Sequence, residues 1–505
     1  MFKSKSKCFN RIVLSLSLGF IFSIQAVSQP KELTILHTND MHAHFLPHEA
    51  YWVRTNPKPL VGGFNELAFA IDSLRHARKT TLLLDAGDLM TGTPISDRLY
   101  MGAEGGALWQ MMNLMGYEAE TPGNHDFDIS YANLLKLIAI PKYPVVEANL
   151  IDEATGKPVT GKEYTIIEKN GLKIGIFGLM SSDFYHLVIV TNSKGIKLVS
   201  PVEAAKRLIA LLEPQTDLLV ALTHEGVDED SILATDTKGI DVIIGGHSHT
   251  RLRTPKYING VIICQAGADA ENLGILDLTV DKSHQIGKWK GVLHPLNDNP
   301  NRGTTVVTAL VDSFKTEIQN EYSEVIGTLS SPWNASDGEV AEGHYLADAQ
   351  RDAAGADIGF MNRGGVRKRL VPGPITKQDL FEVLPFRNIL TTIRLTGKQI
   401  RDIVAFYVDK HPDVLFSGIT CEWKKDASGN SEIVSLLVNG KPVADDATYT
   451  AAASDYMMGQ APHYFGIPAP TITYTNQTVF TAVEKRVRAD KIVSSNSEPR
   501  IRQLK

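Results

Sequence analysis

Leu33-Thr34-Ile35-Leu36-His37-Thr38-Asn39-Asp40-Met41-His42 is a run of strand length that breaks at once into a polar turn carrying an aspartate and a histidine. The layout recurs in Leu82-Leu83-Leu84-Asp85-Ala86-Gly87-Asp88, Thr121-Pro122-Gly123-Asn124-His125-Asp126, Leu218-Leu219-Val220-Ala221-Leu222-Thr223-His224 and Val242-Ile243-Ile244-Gly245-Gly246-His247-Ser248-His249. Further strand-like runs stand at 145–148, 174–178, 261–264 and 275–280, and helix-like spacing marks 63–78, 107–115, 132–138 and 201–212. Strands alternating with amphipathic helices read as a layered α/β domain. Ligands of open α/β sheets gather at the carboxyl ends of the strands, so the polar turns are expected to converge on one rim.

Working outward, a turn-rich loop from Pro295 to Gly303 closes this first domain, 29–303. Apolar residues at 307, 310, 311, 314 and 318 then predict an interdomain helix within 304–323, and 324–505 forms a second α/β domain. At the other end Lys3, Lys5, Lys7 and Arg11 precede an uncharged apolar run, 12–27, that closes on Ala26-Val27-Ser28. This is the pattern of a signal peptide, 1–28, and predicts a secreted or periplasmic chain with no stable membrane insertion after cleavage. Removing it takes away four positive charges and no negative ones, so the net charge of −6 becomes −10. An acidic surface of that kind excludes bulk nucleic-acid binding, while small anions remain possible at a metal centre. Only Cys264 and Cys421 lie beyond the leader, and both are read as unpaired.

Carboxylate and amide oxygens mixed with imidazoles suit Zn²⁺, Mn²⁺ or Fe²⁺ better than Ca²⁺ or Mg²⁺. A strand-end aspartate taken singly is more often a turn former or helix cap. The five pieces in this order on one domain point instead to a pair of cations bridged by a carboxylate, a device that activates water for phosphoryl transfer.

The ordered set Asp40-x-His42, Gly87-Asp88, Gly123-Asn124-His125-Asp126, Thr223-His224 and Gly245-Gly246-His247-Ser248-His249 resembles the calcineurin-like metallophosphoesterase signature, and its wording is closest to the 5′-nucleotidase and UDP-sugar hydrolase branch. The resemblance implies a four-layer αββα sandwich followed by an α/β substrate-binding domain. It also implies two divalent ions, one held by Asp40, His42, Asp88 and His249, the other by Asp88, Asn124, His224 and His247. His125 and Asp128 match the family's catalytic dyad, while Asp85 and His44 fall outside the ligand pattern.

In the second domain Met361-Asn362-Arg363-Gly364-Gly365-Val366-Arg367 resembles the family's substrate-contact element, and Leu384-Pro385-Phe386 and Leu395-Thr396-Gly397 resemble the motifs after it. Arg367 inherits a substrate role, and Arg363 stands where the family has a glycine. Phe416 and Tyr456 match the two rings that sandwich a nucleobase. After Tyr456 the pattern departs, with Gly459-Gln460-Ala461-Pro462-His463-Tyr464 in place of an acidic glycine-rich run. Pro462 supplies no side-chain acceptor for a base or ribose. The expected activity is phosphate release from nucleoside 5′-monophosphates. UDP-sugars, 2′,3′-cyclic nucleotides and sulfur esters stand as alternative substrates, and a non-catalytic nucleotide binder as the rival class.

Overall fold

The computed structural model describes residues 1, 30–50, 52–53, 57–299, 301–331, 333, 341–494 and 498–504. The signal-peptide reading of 1–28 therefore lies, apart from residue 1, outside the described residues.

Two sheets stack face to face in the first half of the chain. One has the strand order Ile286–Pro295, Asn272–Val280, Lys31–Thr38, Thr81–Asp85, Ala119–Glu120. The other runs Tyr164–Lys169, Leu172–Met180, Leu218–His224, Val242–Gly245, Val261–Cys264, Lys256–Ile258. The central strands pair in parallel, Lys31–Thr38 with Thr81–Asp85, and Leu218–His224 with both Leu172–Met180 and Val242–Gly245. Such strands bury both faces, which is why they read as unbroken apolar runs. Leu33, Ile35, Leu82 and Leu84 from one sheet meet Ile174, Ile176, Val220, Leu222 and Ile244 from the other in a shared core. Helices Phe64–Ala77 and Gly106–Met115 cover the outer face of the first sheet, burying Phe64, Leu67, Trp109 and Met112. Helices Pro201–Leu212 and Val227–Asp236 cover the second with Leu208, Ile209 and Leu233. The result is the expected αββα sandwich.

The run 145–148 forms no strand. Val145 makes a single bridge to Glu120, Val146 N–H donates to Glu120 O, and Ala148 N–H donates to Gly178 O in the opposite sheet. The segment crosses from one sheet to the other, and the Glu147 carboxylate turns the chain by accepting from the Asn149 and Leu150 amides.

Helix Thr308–Tyr322 lays Val311, Phe314, Ile318 and Tyr322 on the first core. Beyond it stands a five-stranded sheet of order Val414–Ser417, Ile358–Asn362, Thr448–Ser454, Ile389–Thr396, Thr473–Thr478, with a four-stranded sheet beside it. Helices Ala341–Ala354 and Val479–Asp490 pack on one side of the former, and Gly397–Lys410 on the other. No helix among the described residues is long and apolar enough to cross a membrane. Cys264 and Cys421 are buried and free.

Candidate active site

The rim formed by the ends of Lys31–Thr38, Thr81–Asp85, Leu218–His224 and Val242–Gly245 gathers the polar turns. Asp40, His42 and His249 each bring a donor atom within 4.8 Å of the other two, and Asp88, His224 and His247 do the same. The two groups touch, since His42 Nε2 lies 3.9 Å from Asp88 and His224 Nε2 lies 3.9 Å from Asp40 and 3.1 Å from Asp88. Asn124 Oδ1 faces His247 Nδ1 at 3.0 Å. All seven sequence-predicted donors are thus brought together.

The backbone is bent to present them. Asp40, His42, Asp88, His247 and His249 all have φ between 45° and 73°, where a side chain other than glycine's is strained. Close packing holds those turns, because Asp40 N–H donates to Gly87 O and His42 N–H to Asp88 O. A Cβ on Gly123 would stand 2.1 Å from Asp88 Oδ1, so only glycine lets the two loops meet.

The electrostatics call for cations. His42 Nε2 and His249 Nε2 are 2.9 Å apart, a distance two imidazoles tolerate only with a proton or metal between them. Buried His224 Nε2 faces Asp88 at 3.1 Å without the alignment of a good hydrogen bond, as expected of a nitrogen and a carboxylate aimed at a shared cation. Burial pushes Asp40 up to about 7, with the neighbouring Asp88 carboxylate adding to the rise. Burial also pulls His247 down to about 3 and His249 to about 4, so both imidazoles stay neutral and ready to ligate. For His224 burial is outweighed by Asp88 and Asp40, which lift it to about 10. Two carboxylates buried together are costly without compensating positive charge, which protons such as that on His224 supply here and metal ions can replace, and the donor set fits a pair of divalent ions.

Above this cluster His125 Nδ1 lies 2.7 Å from Asp128 Oδ2. Burial lowers the imidazole's basicity, but Asp128 and Asp88 win and hold it above its ordinary value. Asp88 Oδ1 also accepts from His125 N–H at 2.8 Å.

Several side chains outside the predicted donor set shape the rim, and the supporting or structural role expected of Asp85 and His44 is seen beside those of Asp126 and Asn39. Asp126 accepts from the Asp88, Met90 and Gly123 amides and so fixes the Asp88 loop to the Asn124 loop. Asn39 donates to Asp40 Oδ2 and Gly267 O and accepts from Ala266 N–H. Asp85 accepts from Thr38 Oγ1 and Gly87 N–H, and burial pushes it up to about 8. His44 lies 3.3 Å from Asp269 rather than among the seven donors. A third donor group, His48, Asp269 and Glu271, stands nearby, but Arg251 already pairs with Glu271.

From the second half of the chain Arg367 reaches the rim, its Nη2 donating to His42 Nε2 at 3.3 Å. Arg363 stays outside, 3.8 Å from Asp413. Tyr456 is partly buried and donates through its hydroxyl to His186 O at 2.7 Å, with Tyr464 beside its ring. Phe416 corrects the sequence reading. It is 1% exposed, packed between Phe360 and Tyr407 inside the core, and has no ring face to offer a ligand. The divergent segment forms two short helices, Asp455–Gly459 and Ala461–Phe465. There Gln460 donates to Tyr185 O, and His463 stacks on His186.

Residues 33–251 match the model of the calcineurin-like phosphoesterases, and residues 325–465 match the 5′-nucleotidase C-terminal domain. The chain belongs to the 5′-nucleotidase family. Among its relatives is a 5′-nucleotidase of Vibrio cholerae, 27% identical over 483 residues that cover 83% of each chain. Endonuclease YhcR of Bacillus subtilis is 27% identical over 87% of this chain, which spans only 38% of that longer protein. The structure of a 5′-nucleotidase precursor from Thermus thermophilus superposes with a TM-score of 0.80 at 25% identity, covering 94% of this chain and 99% of that one. Membership of the 5′-nucleotidase family agrees with a donor set built for paired divalent ions.

Proposed function

We propose that this chain hydrolyses phosphate monoesters, releasing phosphate from nucleoside 5′-monophosphates. The observation that carries the reading is the juxtaposition of the two donor groups, Asp40–His42–His249 and Asp88–His224–His247, beneath His125 and Arg367. Asp40, His42, Asp88 and His249 would hold one ion, and Asp88, Asn124, His224 and His247 the other, with Asp88 as the bridge. Zn²⁺ or Mn²⁺ suits the mixed N/O set best, and Fe²⁺ also suits it. When bound, such a pair supplies an acidified water and positive charge against the phosphoryl oxygens.

The chain's own residues do the rest. Arg367 offers a planar fork of N–H donors to the phosphate and orients it toward the rim. His125, kept protonated by Asp128, stabilises the negative charge that grows on the equatorial oxygens during attack, and donation of its proton to the leaving oxygen is open to it. Asp128 fixes the imidazole's orientation through Nδ1. Tyr456 supplies one aromatic surface for the group beyond the phosphate, with Arg363 at the cleft's outer edge. With Phe416 in the core, a two-ring sandwich is not part of this proposal. The basic and apolar leader supports export of the chain to the periplasm or the exterior, which sequencing of the mature amino terminus tests.

The Gly459–Tyr464 departure favours a second reading in which the preferred leaving group is a sugar nucleotide or a cyclic nucleotide. A product screen over nucleoside monophosphates, UDP-sugars and 2′,3′-cyclic nucleotides, with Mn²⁺ present, decides between them. Phosphate released chiefly from 5′-monophosphates supports the first reading. Binding of all three without product supports a non-catalytic binder.

A further inference from the structure

The loop between Val261–Cys264 and Asn272–Val280 carries metal-type donors apart from the seven at the rim. His48, Asp269 and Glu271 each bring a donor atom within 4.8 Å of the other two. His48 Nε2 faces Glu271 Oε1 at 3.3 Å, and His44 Nδ1 faces Asp269 Oδ1 at 3.3 Å, with the two imidazole rings 5.0 Å apart. Both contacts are long beside the usual charge-assisted hydrogen bond of about 2.7–2.9 Å. The His44 contact also lacks the alignment of a hydrogen bond. Two imidazoles and two carboxylates are thus gathered without the short contacts that would satisfy them.

The chain is shaped to gather them. His48 lies in the short strand His48–Glu49, paired with Leu60–Val61. Gly62, at φ 78°, lets that pair approach the loop, since a Cβ there would stand 3.1 Å from Asp269 O and 3.3 Å from His48 Cε1. Asp269 N–H donates to Asp40 O, which ties the loop to the rim. Arg251 does not close the group. Its guanidinium lies over the Trp52 ring at 4.6 Å and takes Glu271 Oε2, leaving Oε1 turned to His48. Ligating carboxylates are commonly held in this way through the other oxygen. Burial lowers the His48 pKa and outweighs the Asp269 and Glu382 carboxylates, so the ring is a neutral donor.

We propose that His48, Asp269 and Glu271 form a third divalent-cation site, separate from the paired centre, with His44 as the nearest further donor. Nitrogen beside carboxylate oxygen suits Zn²⁺ better than Ca²⁺ or Mg²⁺. The site binds more weakly than the rim, because Arg251 shares the charge of Glu271 and the Asp269 side chain is 30% exposed. A desalted chain therefore keeps two ions, and the third is taken up only from free Zn²⁺. Its occupancy does not depend on which ester the rim hydrolyses.

The test dialyses the Mn²⁺-loaded chain to equilibrium against buffered free Zn²⁺ raised through the micromolar range. Plasma mass spectrometry then counts zinc and manganese together, so that exchange at the rim leaves the sum unchanged. The unmodified chain is expected to reach three ions. His48→Ala and Glu271→Gln are expected to stop at two while still turning over AMP. Arg251→Ala, which frees the second oxygen of Glu271, should half-fill the third site at roughly fivefold lower free Zn²⁺, a gain that no misfolded variant gives. A sum that stays at two in the unmodified chain, or a third ion that persists in either His48→Ala or Glu271→Gln, overturns the proposal. Should either variant also lose the rim ions, Arg251→Ala decides, and unchanged or weaker uptake there overturns it as well.

Discussion

Replacing Asp128 isolates what a carboxylate does for the imidazole beside it. The His125 Nδ1–Asp128 Oδ2 contact is 2.7 Å, short enough for a charge-assisted hydrogen bond, and the carboxylate is four-fifths buried. Bonds of that class contribute about 1.5–3 kcal/mol, so Asp128→Ala should cost roughly 10- to 150-fold in kcat. Asp128→Asn keeps an oxygen that accepts from Nδ1–H and should lose less. The pH profile supplies a second reading. Burial alone lowers the His125 pKa, and Asp128 and Asp88 reverse that, so deleting Asp128 drops it. The protonated form is the working one, so the alkaline limb of the rate profile must move to lower pH. Metal content, measured by plasma mass spectrometry on the same preparations, should stay unchanged because Asp128 belongs to neither donor group. A wild-type kcat in Asp128→Ala, or a limb displaced to higher pH, refutes the reasoning.

Three further substitutions test other parts of the structure. Gly123→Ala would place a methyl 2.1 Å from Asp88 Oδ1 and 2.4 Å from its amide, so metal titration should find at least one ion lost and melting should show a penalty of about 2–3 kcal/mol. Phe416→Ala should cost about 3–5 kcal/mol in urea unfolding while leaving KM for AMP near its wild-type value; a raised KM with intact stability would restore a stacking role. Burial lifts Asp241 to about 6, above the usual carboxyl value of about 3.9. Its contribution to stability is therefore full below pH 4 and lost as the pH rises through 6. Asp241→Asn, which keeps an acceptor for Leu219 N–H, should exceed wild type at pH 8 by about 1–2 kcal/mol and gain nothing at pH 4, as read by urea unfolding at the two values.

The rim was legible because most donors stand just past the point where an apolar, doubly buried strand stops, and parallel pairing forces those stops to one edge; Asn124, after the short edge strand Ala119–Glu120, is the exception. Asp40, Asp88, His224 and His247 follow this logic, and the turns that bear them need glycines the sequence displays. The segment 145–148 was not legible, since its apolar residues divide between two sheets and spacing cannot reveal a crossing. Phe416 failed for a related reason. Val414–Ser417 is buried throughout, so alternation along it does not say which ring faces a cleft.

The central claim is that seven side chains hold two divalent ions that the reaction requires. The most direct trial counts metals on the purified chain while following phosphate release from AMP, before chelation, after it, and after Mn²⁺ is restored. Two ions per chain, lost together with activity and regained together with it, is the predicted result. A single ion, none, or phosphate release that survives chelation would contradict it.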